Sequence, residues 1–200
     1  MNSSKGGTPS RGRGRVRIIA GEYRRRLIGV APRPELRPTP DRVRETLFNW
    51  LGQDLHGLQC LDLYAGSGAL GFEAASRGAA RVVMVEKDRG ALAQLERNRA
   101  ILGAAQVEIV AGDALRYLEH TAGRFDVVFL DPPFRQNAWP DLAARLPPCL
   151  APGARVYVEG PQPVVVAAPW RELRNGRAGE VSYQLLNWDG HDPSRVSGNV

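Results

Sequence analysis

The sequence has little cysteine, little histidine and no metal-binding pattern. Cys60 and Cys149 are the only cysteines among 200 residues. Cys60 begins an apolar segment, so we expect a buried reduced thiol there rather than part of a disulfide framework. His56, His120 and His191 are isolated and lack the spacing of metal ligands. These observations predict a protein that binds no metal and works in a reducing compartment, the cytoplasm.

Long hydrophobic stretches are missing as well. The chain has no run of about 18 apolar residues, the length that a transmembrane helix requires. Residues 1–10 are polar and lack the apolar region of a secretory signal. We therefore expect no membrane partner. With 43% hydrophobic residues, the chain can form one sizeable core plus a small appendage. Nothing in the sequence demands a dimer, so we expect a monomer.

Positive charge is concentrated at the N-terminal end. Residues 1–44 contain twelve Lys/Arg and three acidic residues, a charge of +9, whereas the remaining 156 residues carry −3. Arginine outnumbers lysine, and its guanidinium group binds phosphate in a bidentate manner and stacks on bases. A solvated charged face is the alternative, but the asymmetry favours contact with nucleic acid. The candidate RNA-binding residues are Arg15, Arg17, Arg24, Arg25, Arg26, Arg37, Thr39 and Arg42.

The N-terminal part predicts a basic tail and a hairpin. Residues 1–15 are rich in Ser, Gly and Arg, a composition typical of disorder. Val16–Ala20 and Arg24–Val30 are strand-like runs on either side of Gly21-Glu22-Tyr23, which indicates a β-hairpin. We expect residues 16–51 to form a nucleic-acid-binding extension.

A proline-rich connection leads from the hairpin to a helix. Four prolines lie within residues 31–40, so the chain should be extended there. Asp41 is expected to be the N-cap, and apolar residues then recur at helical spacing, which predicts an amphipathic helix over Arg42–Leu51. Thr39 and Arg42, beside this helix, either close over a cofactor or base or have a capping or surface role.

From Cys60 onward, strand-like and helix-like segments alternate. The expected strands are Cys60–Tyr64, Arg81–Glu86, Val107–Ala111, Phe125–Leu130 and Arg155–Glu159. The expected helices are Ala69–Arg77, Arg89–Leu102, Ala114–His120 and Pro140–Leu146. Repeated βα units imply a parallel sheet with helices on both faces. Turn residues at Asn175-Gly176 and Gly179 precede Val181–Trp188, which predicts an antiparallel last strand. Residues 52–188 should form this α/β domain, and residues 189–200 a loose tail.

The segment Leu61–Gly71 combines the end of a strand, a glycine-rich turn and the start of a helix. Gly66, Gly68 and Gly71 fit the G-x-G-x-x-G pattern of nucleotide sites. A dinucleotide would place its pyrophosphate at the helix N-terminus, where Asp62 would repel it. An acid suits the ammonium group of S-adenosylmethionine instead, and glycine permits close approach of its nucleoside. The turn therefore favours S-adenosylmethionine, with an NAD enzyme as the alternative.

Two further acids follow the next two strands. Glu86 can accept bonds from ribose hydroxyls, and Asp113 can accept from an adenine amino group. The alternatives are a surface charge at Glu86 and a helix N-cap at Asp113. Open α/β sheets bind ligands at the carboxyl ends of their strands, so one site is predicted. The cofactor-binding candidates are Asp62, Ala65, Gly66, Ser67, Gly68, Glu86, Lys87, Asp113, Ala114 and Asp131.

Asp131-Pro132-Pro133-Phe134 follows the apolar run Phe125–Leu130. The Asp131 carboxylate and a backbone carbonyl, fixed in direction by the prolines, can accept both N–H bonds of an exocyclic amine. Phe134 can stack on the base that carries this amine. A plain turn is the alternative. These residue types favour methylation of an amine, and Asp131, Pro132, Pro133 and Phe134 are the predicted catalytic residues.

These segments resemble the class I S-adenosylmethionine-dependent methyltransferases and, more closely, the RsmD family of 16S rRNA guanine-N2 methyltransferases. The resemblance spans about residues 16–188, and Arg37–Leu51 is its most family-specific part. The glycine turn and Asp-Pro-Pro-Phe occur in many amine methyltransferases. The sequence departs from the family pattern at Ala20, where a second glycine is usual, and at Pro40, where threonine is usual.

The resemblance implies a Rossmann-like class I methyltransferase sheet and S-adenosylmethionine as cofactor. It implies methyl transfer to N2 of guanine 966 in 16S rRNA, within the small ribosomal subunit or an assembly intermediate. Asp131 and the Pro132 carbonyl would bind the amine of a flipped base, with Phe134 stacked on it. One alternative is an adenine-N6 methyltransferase, although the chain has no room for a large target-recognition domain. Another is a non-catalytic RNA-binding assembly factor on the same fold.

Overall fold

A computed structural model of the protein describes residues 14–32, 40–133 and 138–190. Most of the expected disordered tail, proline-rich connection and loose C-terminal tail lies outside these residues. The N-terminal elements, in chain order, are β1 (Arg15–Arg17), β2 (Leu27–Gly29) and α1 (Asp41–Leu51). The α/β units that follow are β3 (Gln59–Asp62), α2 (Ala69–Ser76), β4 (Arg81–Glu86), α3 (Arg89–Leu102), β5 (Val107–Ala111), α4 (Ala114–His120), β6 (Phe125–Leu130) and α5 (Trp139–Arg145). The last strands are β7 (Leu150–Gly160), β8 (Trp170–Ala178) and β9 (Val181–Trp188).

Seven of these strands form one sheet in the order β5-β4-β3-β6-β7-β9-β8. The strands β3 to β7 pair in parallel, whereas β9 pairs antiparallel with both β7 and β8. Helices connect the parallel strands, as crossovers between parallel neighbours usually do. The predicted Rossmann-like α/β fold with an antiparallel finish is therefore confirmed.

The alternation of side chains along the strands divides the core into two clusters. Cys60, Met84, Phe129 and Tyr157 lie on one face of the sheet, in a cluster with residues of the hairpin, α1, α2 and α3. The residues next to them in sequence, such as Leu61, Val83, Val128 and Val156, lie on the other face and pack with residues of α4 and α5. Successive side chains of a strand point to opposite faces, so a residue two positions further on returns to the same face.

The N-terminal hairpin is confirmed, with shorter strands than predicted. β1 pairs antiparallel with β2, and Val16 lies opposite Ile28. β1 begins at Arg15, which pairs with Gly29 and so is not part of a disordered tail. Gly21 has a φ of 77° and packs closely against the end of α2. Glycine is required there, because a Cβ would come within 1.7 Å of the Ser76 carbonyl oxygen.

Two local predictions were wrong. Pro40, not Asp41, occupies the N-cap position of α1, and the Asp41 carboxylate instead accepts a hydrogen bond from Arg44 Nη2 at 2.7 Å. Asn175-Gly176 is not a turn but part of β8. A Cβ at position 176 would lie 2.5 Å from the ring of Tyr183 on the paired strand β9, so glycine makes room for this ring.

Both cysteines are free and buried, as predicted for Cys60. Burial raises the pKa of the Cys60 thiol to about 12 and that of Cys149 to about 11. Both thiols are therefore protonated near neutral pH and are poor nucleophiles. Within the described ranges, no helix combines the length and apolar character needed to cross a bilayer.

The carboxylate of Glu73, fully buried in α2, connects the N-terminal extension to the sheet domain. It accepts hydrogen bonds from the backbone N–H groups of Ile19 at 2.8 Å and Ala20 at 3.0 Å. Arg77, one turn further along, donates to it from Nε at 3.0 Å. Ser76, at the end of α2, also holds the hairpin loop, because its Oγ accepts from the N–H of Tyr23 at 2.9 Å and its carbonyl accepts from the N–H of Glu22 at 2.7 Å.

Arg44 brings α1 into the same network. Its guanidinium group is fully buried, with Nη1 at 3.5 Å from Glu73. Its Nη2 donates to the backbone carbonyl of Arg17 at 2.9 Å and to Asp41. Hairpin, α1 and α2 therefore share one buried polar network, and removing one charge would leave its partner uncompensated.

We predict that Glu73→Gln lowers the free energy of unfolding by about 3 kcal/mol, because Arg44 and Arg77 lose their buried counter-charge. Denaturant unfolding measures this change. Glu96→Gln is the matched control, since Glu96 pairs with Arg99 at 2.9 Å on the exposed surface of α3. It should cost less than about 1 kcal/mol. Equal effects of the two substitutions would contradict this role of Glu73.

Candidate active site

Asp62, the last residue of β3, lies beneath the glycine turn. Its Oδ2 accepts a hydrogen bond from the N–H of Gly71, in the first turn of α2, at 3.1 Å. Gly68 has a φ of 78°, and a Cβ at Gly71 would lie 2.4 Å from Cε of Met84. The turn therefore requires glycine at both positions, one for its conformation and one for close packing.

Burial raises the pKa of Asp62 to about 7, with a further increase from the charge of Glu86 and a partial offset by the Gly71 N–H. A carboxylate that is costly to ionise gains most from a nearby positive charge. The ionised Asp62 carboxylate would repel a pyrophosphate bound at the glycine turn. The observed environment of Asp62 therefore fits a cationic cofactor, as the sequence pattern suggested.

Glu86, at the end of β4, is buried against the same turn. Its Oε2 accepts from the N–H of Gly66 at 2.9 Å, and its Oε1 accepts from the N–H groups of Lys87 at 2.9 Å and Asp88 at 2.8 Å. The alternative of a surface charge is therefore wrong for Glu86. Lys87 contributes a backbone N–H, while its side chain is exposed.

Asp113 lies beyond the end of β5 and caps α4. Its Oδ1 accepts from the N–H groups of Leu115 at 3.0 Å and Arg116 at 3.3 Å. Asp113 is therefore the N-cap of α4, the alternative given above. Both capping bonds use Oδ1, and a carboxylate that caps a helix can still accept a ligand bond at Oδ2. Ala114, next to it, is buried. Burial and the charge of Asp113 together raise the pKa of Tyr64 to about 12, which identifies Tyr64 as a neighbour that the sequence did not single out.

Asp131 follows β6 directly and is partly buried. Burial raises its pKa well above the usual range, and the charges of Glu159 and Asp62 raise it further. Pro132 is buried and Pro133 is exposed, while the predicted stacking residue Phe134 lies outside the described residues. The structure therefore brings Asp131 close to Asp62, as expected from neighbouring strand ends.

Glu159 and Tyr157 also lie in this region, and neither was among the site residues expected from the sequence. Glu159 is buried near the end of β7, and its Oε1 accepts a hydrogen bond from Tyr157 Oη at 2.7 Å. The register pairs Leu130 with Val158, so the next residues, Asp131 and Glu159, are neighbours. A signal was available, because Glu159 ends a predicted strand in the same way as the chosen acids.

The strand-end acids share one face of the sheet. Each acid comes two residues after a core residue of the face that packs against α1 and α2. A spacing of two returns a strand residue to the same face, so the acids share that face. The four acids are Asp62, Glu86, Asp131 and Glu159. Among the residues that the structure describes, no group of His, Cys, Asp and Glu could hold a metal ion. The arrangement offers hydrogen-bond acceptors and negative charge, which suit a cation and an amine.

Most of the candidate RNA-binding arginines are exposed. Arg15, Arg17, Arg24, Arg25 and Arg42 have exposed side chains, whereas Arg37 and Thr39 lie outside the described residues. The guanidinium group of Arg26 binds the carbonyls at the end of α3, at 3.1 Å to that of Leu102 and also to that of Ile101. Arg26 therefore has a structural contact that the sequence did not predict.

The fold and the strand-end site together define a Rossmann-like class I methyltransferase. The family described as Conserved hypothetical protein 95 matches residues 16–187. Ribosomal RNA small subunit methyltransferase D of Escherichia coli K12 is 43% identical over 179 residues, which cover 87% of this chain and 90% of the relative. The Haemophilus influenzae protein of the same name is 43% identical over 183 residues, with 86% and 94% covered. The chain belongs to this family, the RsmD-family methyltransferases.

Solved structures are similar over most of the chain. A putative methyltransferase, yhhF, from Escherichia coli superimposes with a TM-score of 0.81 and 42% identity, covering 89% of this chain and 100% of that one. An RNA methyltransferase from Salinibacter ruber, solved in complex with S-adenosyl-L-homocysteine, has a TM-score of 0.58 at 22% identity, covering 81% and 100%. The second likeness is one of fold alone.

We predict that Asp62→Asn removes a pH dependence of cofactor binding. In the unaltered protein, a cationic ligand favours ionised Asp62, whose pKa is about 7. Affinity for S-adenosylmethionine should therefore rise from about pH 5.5 to about pH 7, before most of the α-amino group, with a pKa of about 7.7 to 8.0, has lost its proton. Isothermal titration calorimetry measures this rise, which the neutral asparagine should flatten.

Asp54→Asn is the control, because Asp54 is exposed before β3. Its pH profile should match that of the unaltered protein. If the affinity of Asp62→Asn rises with pH as steeply as that of the unaltered protein and of Asp54→Asn, another group is responsible for the pH dependence.

Proposed function

We propose that this protein transfers a methyl group from S-adenosylmethionine to the exocyclic N2 amine of a guanine in small-subunit rRNA. The position of Asp131 carries the proposal, because Asp131 follows β6, the neighbour of the strand that leads into the glycine turn. There its carboxylate and the Pro132 carbonyl would accept both N–H bonds of an amine. The names of two relatives with 43% identity support rRNA as the substrate.

The residues around the glycine turn fit S-adenosylmethionine. When bound, this cofactor supplies an electrophilic methyl group on a positively charged sulfur. Asp62 would hold its ammonium group, and Glu86 would accept from the ribose hydroxyls. Asp113 would accept from the adenine amino group while it caps α4. The remaining proposed cofactor contacts are backbone or packing contacts from Ala65, Gly66, Ser67, Gly68, Lys87 and Ala114.

Asp131 would orient the target amine. An exocyclic amine has its lone pair delocalised into the ring, and two acceptors on its N–H bonds fix the nitrogen for reaction. The Asp131 carboxylate and the Pro132 carbonyl are these acceptors. A positive charge in the site favours the ionised form of Asp131, whose pKa is raised by burial and by its acidic neighbours. The catalytic effect is then one of position and electrostatics.

The basic extension would bind the rRNA backbone around the target. Its exposed arginines lie on the hairpin and at the start of α1. Guanidinium groups bind phosphates without reading the base, so this surface would position the RNA while the strand-end site selects the nucleotide. Phe134 and Thr39 remain proposed contacts to the base and the cofactor region.

The direct test is methyl transfer from labelled S-adenosylmethionine to small-subunit particles and naked rRNA from cells that lack the protein, with the product nucleoside identified. N2-methylguanosine at one site is the expected result. N6-methyladenosine would contradict the proposed base. Cofactor binding without transfer to either substrate would favour the non-catalytic assembly factor.

We predict that Asp131→Ala lowers turnover by a factor on the order of 10² or more, because it removes an oriented acceptor from the reacting amine. Affinity for S-adenosylmethionine should stay within a few-fold. Single-turnover methylation and calorimetry measure the two quantities. Asp141→Ala, at an exposed position in α5, is the control and should keep full turnover. Near-normal turnover of Asp131→Ala would remove Asp131 from the catalytic role.

Deletion of residues 1–13 should weaken RNA binding and flatten its salt dependence. The segment carries Lys5, Arg11 and Arg13. Each phosphate contact contributes about 0.7 to 0.9 to the slope of log affinity against log salt, so the slope should fall by up to about 2 to 3. Filter binding over a salt series measures it. An unchanged slope would exclude the tail from phosphate contact.

A further inference from the structure

Glu159 lies beside Asp131, the residue proposed to bind the target amine. β7 lies next to β6 in the sheet, and the parallel register pairs Leu130 with Val158. The residues that follow, Asp131 and Glu159, therefore lie side by side at the carboxyl edge. The charge of Glu159 is the largest charge effect on the pKa of Asp131, which is consistent with this short separation.

Tyr157 fixes the orientation of the Glu159 carboxylate. Its hydroxyl donates to Glu159 Oε1 at 2.7 Å, and both side chains are on the same face of β7. Its ring lies 6.4 Å from the ring of Tyr183, which is opposite Glu159 on β9, and the ring of Trp50 in α1 lies 5.4 Å from Tyr183. This aromatic packing holds the hydroxyl in place, so the carboxylate has a defined direction.

The hydrogen-bonding edge of guanine matches two neighbouring carboxylates. Its N2 amine and its ring N1–H are adjacent donors. In adenine the amine is adjacent to a ring nitrogen with a lone pair. A carboxylate beside the amine site would accept from guanine N1–H and would repel the adenine lone pair. A carboxylate has about four acceptor positions, so the bond from Tyr157 is compatible with a further bond from the base.

We propose that Glu159 is a specificity-determining residue that accepts the N1–H of the target guanine, and that Tyr157 is its positioning residue. This inference rests on the proposed function and adds the reason for choosing guanine over adenine. Asp131 and the Pro132 carbonyl bind the amine, and Glu159 reads the adjacent ring position.

The test uses small-subunit RNA that carries either guanine or 2-aminopurine at the methylated position. 2-Aminopurine keeps the amine but has a lone pair in place of the N1–H. The unaltered protein should prefer guanine in kcat/KM by on the order of 10- to 100-fold, the discrimination typical of a good base contact. In Glu159→Gln, the carboxamide can donate to the lone pair, so the preference should fall to within a few-fold.

Two measurements separate this role from a structural one. Affinity for S-adenosylmethionine should stay within a few-fold in Glu159→Gln. Tyr157→Phe keeps the carboxylate but removes its hydrogen-bond donor, so its guanine preference should lie between those of the unaltered protein and Glu159→Gln. Glu180→Gln, in the exposed turn between β8 and β9, is the control and should keep the full preference.

The outcomes separate failure of the Glu159 assignment from failure of the proposed guanine methylation. If the unaltered protein methylates guanine but Glu159→Gln and Tyr157→Phe keep its preference over 2-aminopurine, the Glu159 assignment is wrong and the proposed function stands. Loss of cofactor binding in Glu159→Gln would also overturn the assignment, because it would place Glu159 at the cofactor. If the unaltered protein methylates no guanine, both fail.

Discussion

The buried carboxylate of Glu73 is the interaction on which the position of the N-terminal extension against the sheet domain depends. It holds the hairpin loop through Ile19 and Ala20 and holds α1 through Arg44. These elements cover the face of the sheet to which the strand-end acids point. The hairpin and α1 are therefore fixed against the face of the sheet on which the strand-end acids lie.

The second constraint is the placing of several acids at one edge of the sheet. Burial and mutual repulsion raise the pKa of Asp62 and Asp131, so ionisation of both is costly without positive charge nearby. This arrangement is poorly suited to a phosphate and well suited to a sulfonium cofactor and an amine. The repulsion that makes these acids costly to ionise in the free protein would favour the binding of a positively charged ligand.

Much of this organisation was predictable from sequence. The boundaries of β4, α3 and β6 agree with the apolar patterns, because buried parallel strands and long helices have strong local signals. Asn175-Gly176 was misassigned because its local preference for a turn is overridden by the packing of Tyr183. Glu159 ends a predicted strand as the other acids do, but its place beside Asp131 comes from the register of β6 and β7, which only the sheet topology reveals. The network of Glu73 likewise joins residues far apart in sequence.

A crystal structure with S-adenosyl-L-homocysteine would show whether the strand-end acids bind the cofactor. We expect the ligand at the carboxyl ends of β3 and β4, with its amino group at Asp62 and its ribose at Glu86. Its sulfur should face Asp131 and leave the region of Glu159 open for a base. A ligand bound on the opposite face of the sheet, or with its sulfur directed away from Asp131, would show that these acids do not have the proposed roles.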